Sequence, residues 1–570
     1  MDAAIFMGMM CSMNIRALNY DLARSRRADL PHLKAIVDQL AEHGFNMLSL
    51  YLEHRFDYPS CPGVAPPGSL TPAMARELHD YARARGVEVI PQINLLGHCE
   101  GIGATERYAH LTCDPFQQEP WGGYEQLNLG LEETRDFVRS AIGDICDAFP
   151  GTYVHIGGDE VRQMAWLFPE DAARQQETMA AWLMFIIEDV RRHGRQVLLW
   201  GDMLLHHESV MQGMPRDLII CDWQYGPLGS RETLERFKAE GFKVLAAPCV
   251  ATCPGFGVNG PGSLRNIGAM VGDTMALDLE GFLLTTWEFG FGSGPGQIWP
   301  FVAYAGALAA GEQIADGDAF VASFANQRYG VDGDAVLRLQ AILSSGLEAA
   351  LMQDLAKRPK LLLVSLRKAL FRGAPPFPHI ARPTPAPPNG HRPVWEPGPF
   401  GCWLFLRPIL TPALLERLTT LAAEGESLAA HLRREATRHA DELEALFGLA
   451  EGLAVMVEGL MLLQEAKTCY HGACLIQRDH ADRFREALMQ TSDRLERLKP
   501  GLDRLKALVE RSDRAYGLDA GEHDWLAVQE KSLREHIDAL RRYDPASDSL
   551  LEFGEFLRRP AHVRQRLTWR

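Results

Sequence analysis

The chain has 570 residues, 46% of them hydrophobic and 23% charged, which is the make-up of a soluble globular protein with more than one core. Its 58 Lys and Arg against 74 Asp and Glu leave a formal net charge of −16, which argues against a nucleic-acid-binding face and suits a neutral substrate. Eleven Cys follow no regular framework and include no Cys-x-x-Cys, so they read as reduced thiols, and neither Cys249 with Cys253 nor Cys469 with Cys474 has the second ligand pair that a metal site needs. The apolar patch near the start, Ile5 to Cys11, lacks a basic n-region, and no apolar run is long enough to span a bilayer. The expectation is a cytoplasmic protein with no membrane or nucleic-acid partner.

In chain order, strand-like runs alternate with amphipathic helical ones up to about residue 310. The strands are expected at Asn14 to Tyr20, Asn46 to Leu52, Val87 to Asn94, Thr152 to Ile156, Gln196 to Gly201, Leu218 to Trp223, Lys243 to Ala247 and Gly281 to Trp287. Helical stretches such as Pro31 to His43, Pro72 to Arg85, Thr134 to Ala148 and Glu177 to His193 separate the first five. The fold class is α/β, and eight strands favour a (β/α)8 TIM barrel over a doubly wound open sheet. Any active site then lies at the C-terminal ends of the strands. A helical extension is expected over 311–373, a Pro-rich linker over 374–400 and an α-helical C-terminal domain over 401–570, ending in an arginine-rich tail. Such a bundle, with no chemistry of its own, is a candidate homodimer surface.

The most specific motif is His155-Ile156-Gly157-Gly158-Asp159-Glu160, with a chance probability of about 10⁻⁴ for a chain of this size. Thr152 to Ile156 read as a short buried strand, so the two acids stand at its C-terminal end. Neighbouring side chains on a strand point to opposite faces. The two acids can serve one cavity only if the backbone leaves strand geometry, which Gly157 and Gly158 permit. The bland alternative is a solvated acidic turn.

This motif resembles the signature of glycoside hydrolase family 20, the β-N-acetylhexosaminidases, and the resemblance extends over roughly the first 310 residues. It implies substrate-assisted hydrolysis, an exception to the usual two-carboxylate scheme. The 2-acetamido oxygen of the sugar attacks the anomeric carbon. Asp159 would orient the acetamido N–H and offset the oxazolinium charge, while Glu160 would protonate the leaving oxygen and then deprotonate water. A neighbouring anion and partial burial should raise the pKa of Glu160. Tyr225 would donate to the attacking acetamido oxygen. No metal or organic cofactor is implied.

The resemblance assigns further residues at other strand ends. His98, in Gly97-His98, would stand beside the general acid. Arg16, five residues before Asp21, would fork onto two ring hydroxyls, although Ala17 replaces the family's Gly. Trp200, Trp223 and Trp287 would wall the sugar pocket, and Asp202 and Glu288 would bind hydroxyls. Arg16 has an alternative as an ordinary surface or barrel-bottom ion pair, and the others as ordinary core residues or satisfied structural hydrogen bonds. After strand two the chain carries Glu53-His54, with His54 where many members have the Asp that pairs with the histidine. Glu53 would then take over that role or contact sugar. This acidic position and Trp223-Gln224-Tyr225-Gly226-Pro227 resemble the short hexosaminidase D-like branch.

The expected activity is that of a retaining exo-β-N-acetylhexosaminidase acting on a glycan or glycoconjugate with terminal β-linked GlcNAc or GalNAc. The alternatives are a family 20 enzyme of narrower specificity, for a modified amino sugar or releasing a disaccharide, and a non-catalytic sugar-binding or scaffolding protein. The Gly-rich loops at 253–262 and 289–296 lack the Gly-Lys-Ser/Thr ending of a phosphate cradle and read as loops rimming the pocket.

Overall fold

The computed structural model describes residues 13–23, 29–103, 105, 107–113, 126–250, 258–287, 295–347, 349, 411–476, 481–515 and scattered positions between 530 and 542. Nine strands form one parallel sheet: β1 (Ile15–Asp21), β2 (Met47–Tyr51), β3 (Glu88–Gln92), β4 (Tyr153–His155), β5 (Gln196–Trp200), β6 (Ile219–Trp223), β7 (Lys243–Ala247), β8 (Cys249–Val250) and β9 (Gly281–Thr286). Neighbours pair in sequence order from β1 to β7, β7 pairs with β9, and β9 pairs with β1 from Ile15↔Gly281 to Tyr20↔Thr286, which closes the barrel. The two-residue β8 continues β7 beyond Pro248 and pairs with β9 at Cys249↔Thr285. Proline has no N–H to give a ladder, so the strand breaks there, and the eighth wall of the barrel is the ninth strand in the chain.

Side-chain alternation divides the barrel into two cores. Ile15, Ala17, Met47, Ile90, Leu198, Trp200, Ile219, Cys221 and Leu283 fill its interior. Leu18, Leu50, Val89, Leu199 and Leu284 point outward into the layer shared with the helices. The helix Leu30–Glu42 shows how that layer is made. Asp29 caps its start by accepting from the His32 N–H, Pro31 lies in its first turn, and Leu33, Ile36, Val37 and Leu40 form its buried stripe. Each such side chain contributes roughly 1.5–3 kcal/mol by leaving water.

The helix Gly317–Tyr329 links barrel to bundle: Val321 belongs to the barrel's apolar layer and Ala325, one turn on, to a second core. That second core also holds Leu339 and Leu343 together with residues of the helices Pro412–Glu435, Glu444–Ile476, Ala481–Glu496 and Lys499–Ala515. The segment from Ala325 to Leu347 therefore packs with the C-terminal helices and shares their core. Arg328 forks onto Glu442, Nε and Nη2 donating at 2.7 and 2.6 Å. The architecture is a closed parallel barrel followed by α-helical segments. The Pro-rich stretch 374–400 and the arginine-rich tail lie outside the described residues. No helix among the described residues is long and apolar enough to cross a membrane.

Candidate active site

The acid pair sits on a turn made by the two glycines that follow β4. Gly157 and Gly158 have φ of 69° and 90°, and a Cβ at either would collide, the first with Asn94 Oδ1 and the second with Leu199 Cδ1. Only glycine meets both demands. The turn sets Asp159 deep, 9% exposed, and gives Glu160 a left-handed backbone, φ 49°. Two adjacent acids thereby leave strand alternation and reach the same histidine.

His98, on the loop after β3, places Nε2 3.1 Å from Glu160 Oε2 and 3.5 Å from Asp159 Oδ2. Arg162 Nη2 donates to the other Glu160 oxygen, Oε1, at 2.9 Å. The Glu160 N–H donates to Asp202 Oδ2 at 2.9 Å, and Trp223 Nε1 donates to Asp202 Oδ1 at 3.3 Å. Beside this polar group stands an aromatic one. Trp287 Nε1 donates to the Tyr225 hydroxyl at 3.0 Å, and Trp223 packs at 5.1 Å from Tyr225. The Trp200 ring lies 6.2 Å from Trp287, and Tyr51 meets Trp287 edge-on.

Burial dominates the titration of the site. It pushes the Asp159 carboxyl up to about 7, against the pull of His98 and with the help of Asp202 and Glu160. Burial also raises Asp202, whose hydrogen bonds from the Glu160 N–H and Trp223 pull back. His155, at the end of β4, is fully buried and pushed down to about 3. The Gly157 N–H donates to its Nδ1 at 3.0 Å, so the neutral ring carries its proton on Nε2. The Tyr225 ring is 36% exposed, but its hydroxyl end is enclosed, which holds the phenol well above its usual range and keeps it a donor. Asp159 Oδ1 and Trp200 Nε1 are buried without a hydrogen-bond partner among the described residues. Such atoms are the ones that a bound polar ligand completes.

Of the residues expected from sequence, Glu160, His98, Asp202 and Trp223 form one hydrogen-bonded group, Asp159 lies 3.5 Å from the same histidine, and Tyr225, Trp287 and Trp200 adjoin that group. Glu288 lies outside the described residues. One expectation is corrected, that for Arg16, and for Glu53 the structure shows an inward-facing carboxylate. Arg16 is the second residue of β1, at the opposite end of the barrel, and its guanidinium donates to the carbonyls of Gly44 at 2.7 Å and Met13 at 2.5 Å. The neighbours Ile15 and Ala17 face the interior, so alternation turns Arg16 outward, away from the acids. Glu53 is 1% exposed and directs its carboxylate into the protein, onto the Gly101 N–H at 2.5 Å and His54 Nδ1 at 3.1 Å. Sequence reading missed Tyr51, whose inward position at the end of β2 was readable, and Arg162, which nothing in the pattern marked out.

The ligand atoms of His98, Asp159 and Glu160 lie within 4.8 Å of one another, the one metal-sized grouping of three among the described residues. With Arg162 ion-paired to Glu160, a positive charge already neutralises part of that cluster. The donor set, two carboxylates of unequal burial bridged by one imidazole, suits acid–base work.

The profile described as "Glycosyl hydrolase family 20, catalytic domain" matches residues 14–252. A Beta-N-acetylhexosaminidase of Cellulomonas fimi is 31% identical over 207 residues, 33% of this chain and 39% of the relative. The Beta-hexosaminidase subunit beta of Homo sapiens is 29% identical over 233 residues, 37% of this chain and 41% of that one. The matched part spans less than half the length of these curated relatives. Among solved structures, the GH20 beta-N-acetylhexosaminidase from Streptomyces coelicolor A3(2) superposes with a TM-score of 0.42 at 22% identity, covering 55% of this chain and 67% of that chain.

Proposed function

We propose that the chain, whose residues 14–252 match the glycosyl hydrolase family 20 catalytic domain, is a retaining exo-β-N-acetylhexosaminidase that releases terminal β-linked GlcNAc or GalNAc through an oxazolinium intermediate. The observation that carries the reading is the unequal burial of two acids held by one histidine. Asp159 is enclosed and its Oδ1 has no partner among the described residues, as an acceptor for the acetamido N–H requires. The Glu160 side chain is 26% exposed, open to the leaving group and then to water. Depth separates the two roles, as it does for other carboxylate pairs in glycosidases.

In the first step the acetamido oxygen attacks the anomeric carbon. Tyr225, kept protonated, donates to that oxygen, and Asp159 accepts from the N–H, aligning the group and offsetting the positive charge that develops on it. Glu160 gives its proton to the departing glycosidic oxygen. In the second step it takes a proton from the water that opens the ring. Trp200, Trp223 and Trp287 supply the apolar wall for the sugar and its methyl group. The acid at Glu53 and the sequence Trp223-Gln224-Tyr225 support a place near the short hexosaminidase D-like branch.

The test is nitrophenol release from the aryl β-GlcNAc and β-GalNAc glycosides by the wild type and Asp159→Asn. An aryl leaving group needs little protonation, so the variant isolates the acetamido-assisted step. Turnover that falls by about 10² or more in the variant supports the reading. A folded wild type inert toward both glycosides refutes it.

A further inference from the structure

The loop that carries His98 is held from behind by a buried pair at the end of β2. Glu53 accepts from the Gly101 N–H at 2.5 Å and meets His54 Nδ1 at 3.1 Å. Its own carbonyl accepts from the Tyr58 hydroxyl at 2.6 Å. Burial holds that phenol well above its usual range, so it stays a donor. Glu53 and His54 are 1% and 0% exposed, closed off from any substrate. Position 101 has no room for a side chain, since a Cβ would run into the His54 ring. The other end of the loop presses on the acids directly: a Cβ on Gly97 would stand 2.6 Å from the Asp159 carbonyl oxygen. Between these two anchors His98 adopts φ 53°, a conformation that a free loop would leave.

Resting on the hydrolase reading above, we propose that Glu53 is a positioning residue, whose carboxylate clamps the backbone of the 97–101 loop through Gly101 and so holds His98 against Glu160. It works through a main-chain hydrogen bond and through contact with His54. Its negative charge is not what the clamp requires. Glutamine at 53 keeps an acceptor for the Gly101 N–H and offers its amide to His54 Nδ1, which accepts in the other tautomer. Aspartate keeps the charge but is one methylene too short, and alanine removes the carboxylate's contacts with Gly101 and His54.

The experiment compares Glu53→Gln, Glu53→Asp and Glu53→Ala on two β-GlcNAc glycosides, methylumbelliferyl and dinitrophenyl, with thermal unfolding as a check on folding. His98 is hydrogen-bonded to Glu160 at 3.1 Å and stands farther from Asp159, at 3.5 Å, so its displacement impairs proton delivery first, which the dinitrophenyl leaving group scarcely needs. The expected result is a loss of about 30-fold or more in kcat for the alanine and aspartate variants on the methylumbelliferyl substrate. Their loss on the dinitrophenyl substrate is expected to be several-fold smaller, with the Ki of GlcNAc unchanged and glutamine within about threefold of wild type. Glutamine falling as far as alanine would overturn the clamp in favour of a charge role. Equal losses on both substrates, or a raised Ki, would overturn it in favour of general disruption or sugar contact. The imidazole NMR signals of His98 read the clamp without turnover. They should move in Glu53→Ala and stay in Glu53→Gln, and unmoved signals in the alanine variant would overturn the proposal. A wild type inert on both glycosides sinks the hydrolase reading alone, and the His98 signals then decide the clamp.

Discussion

Replacing Asp159 by Asn should make the protein more stable at alkaline pH and much less so near pH 5. The Asp159 carboxyl rises from 3.8 to about 7 in the fold, chiefly by burial. Its folded pKa is raised, so between those values the folded state keeps a proton that the unfolded chain releases, and stability is lost as pH rises through the window. About 3 units at 1.36 kcal/mol each make the charged form cost roughly 4 kcal/mol at pH 8 and under 2 kcal/mol at pH 5. The asparagine amide costs about 1–3 kcal/mol if its own groups stay unpaired, leaving a net gain of about 1–3 kcal/mol at pH 8. The assay is urea unfolding of the barrel followed by tryptophan fluorescence, at both pH values, for wild type and variant. A midpoint that rises at pH 8 and rises little or not at all at pH 5 fits the argument. A shift of equal size at both, or a variant less stable at pH 8, would refute the view that burial of this charge is what the site costs the fold.

The same titration should appear in catalysis: kcat/KM falls as pH drops through about 7, because a protonated Asp159 accepts poorly from the acetamido N–H, and an acid limb near 4 would contradict it. Arg16→Ala should leave KM within about twofold but lower stability by about 1–3 kcal/mol, through loss of the charge-assisted bonds to Gly44 and Met13, as denaturant titration and substrate kinetics would show together. Arg328→Met removes the forked ion pair to Glu442, whose side chain is 15% exposed, and should cost about 2–4 kcal/mol in the helical region, seen as an earlier unfolding step by circular dichroism while the kinetics of the barrel hold.

The strands were readable because a parallel sheet covered on both faces is written in continuous apolar runs, such as Val197 to Trp200 and Ile219 to Cys221. The acid pair was readable because its two glycines announce a departure from strand geometry. Arg16 shows where pattern matching outran the physics. Residues five apart on one strand face opposite sides, so an Arg16 and an Asp21 on β1 cannot both enter the barrel, and that parity was visible in the sequence. Glu53 is a different case. It stands past the end of β2 at φ 43°, where alternation no longer predicts direction, and its partner Gly101 lies 48 residues on. The break at Pro248 was in plain view, but the two residues after it are too few to announce a strand. The interlocking of Ala325 and Leu339 with helices beyond residue 410 depends on packing that no local pattern encodes.

Strain gathers at this site. Among the described residues, six that are not glycine have positive φ, and three of them, Glu53, His98 and Glu160, follow the consecutive strands β2, β3 and β4. Each such conformation costs on the order of 1–2 kcal/mol, and none is one that its own sequence would choose. The burial of Asp159 adds to the same side. These costs persist only because apolar layers on both sides of the barrel wall fix where each strand ends, which leaves the polar loops no freedom to relax. The geometry of the site is therefore imposed by the barrel from outside. Loosening the packing beneath β2 to β4 should release these three backbones, and with them the contact between His98 and Glu160, before the barrel itself opens.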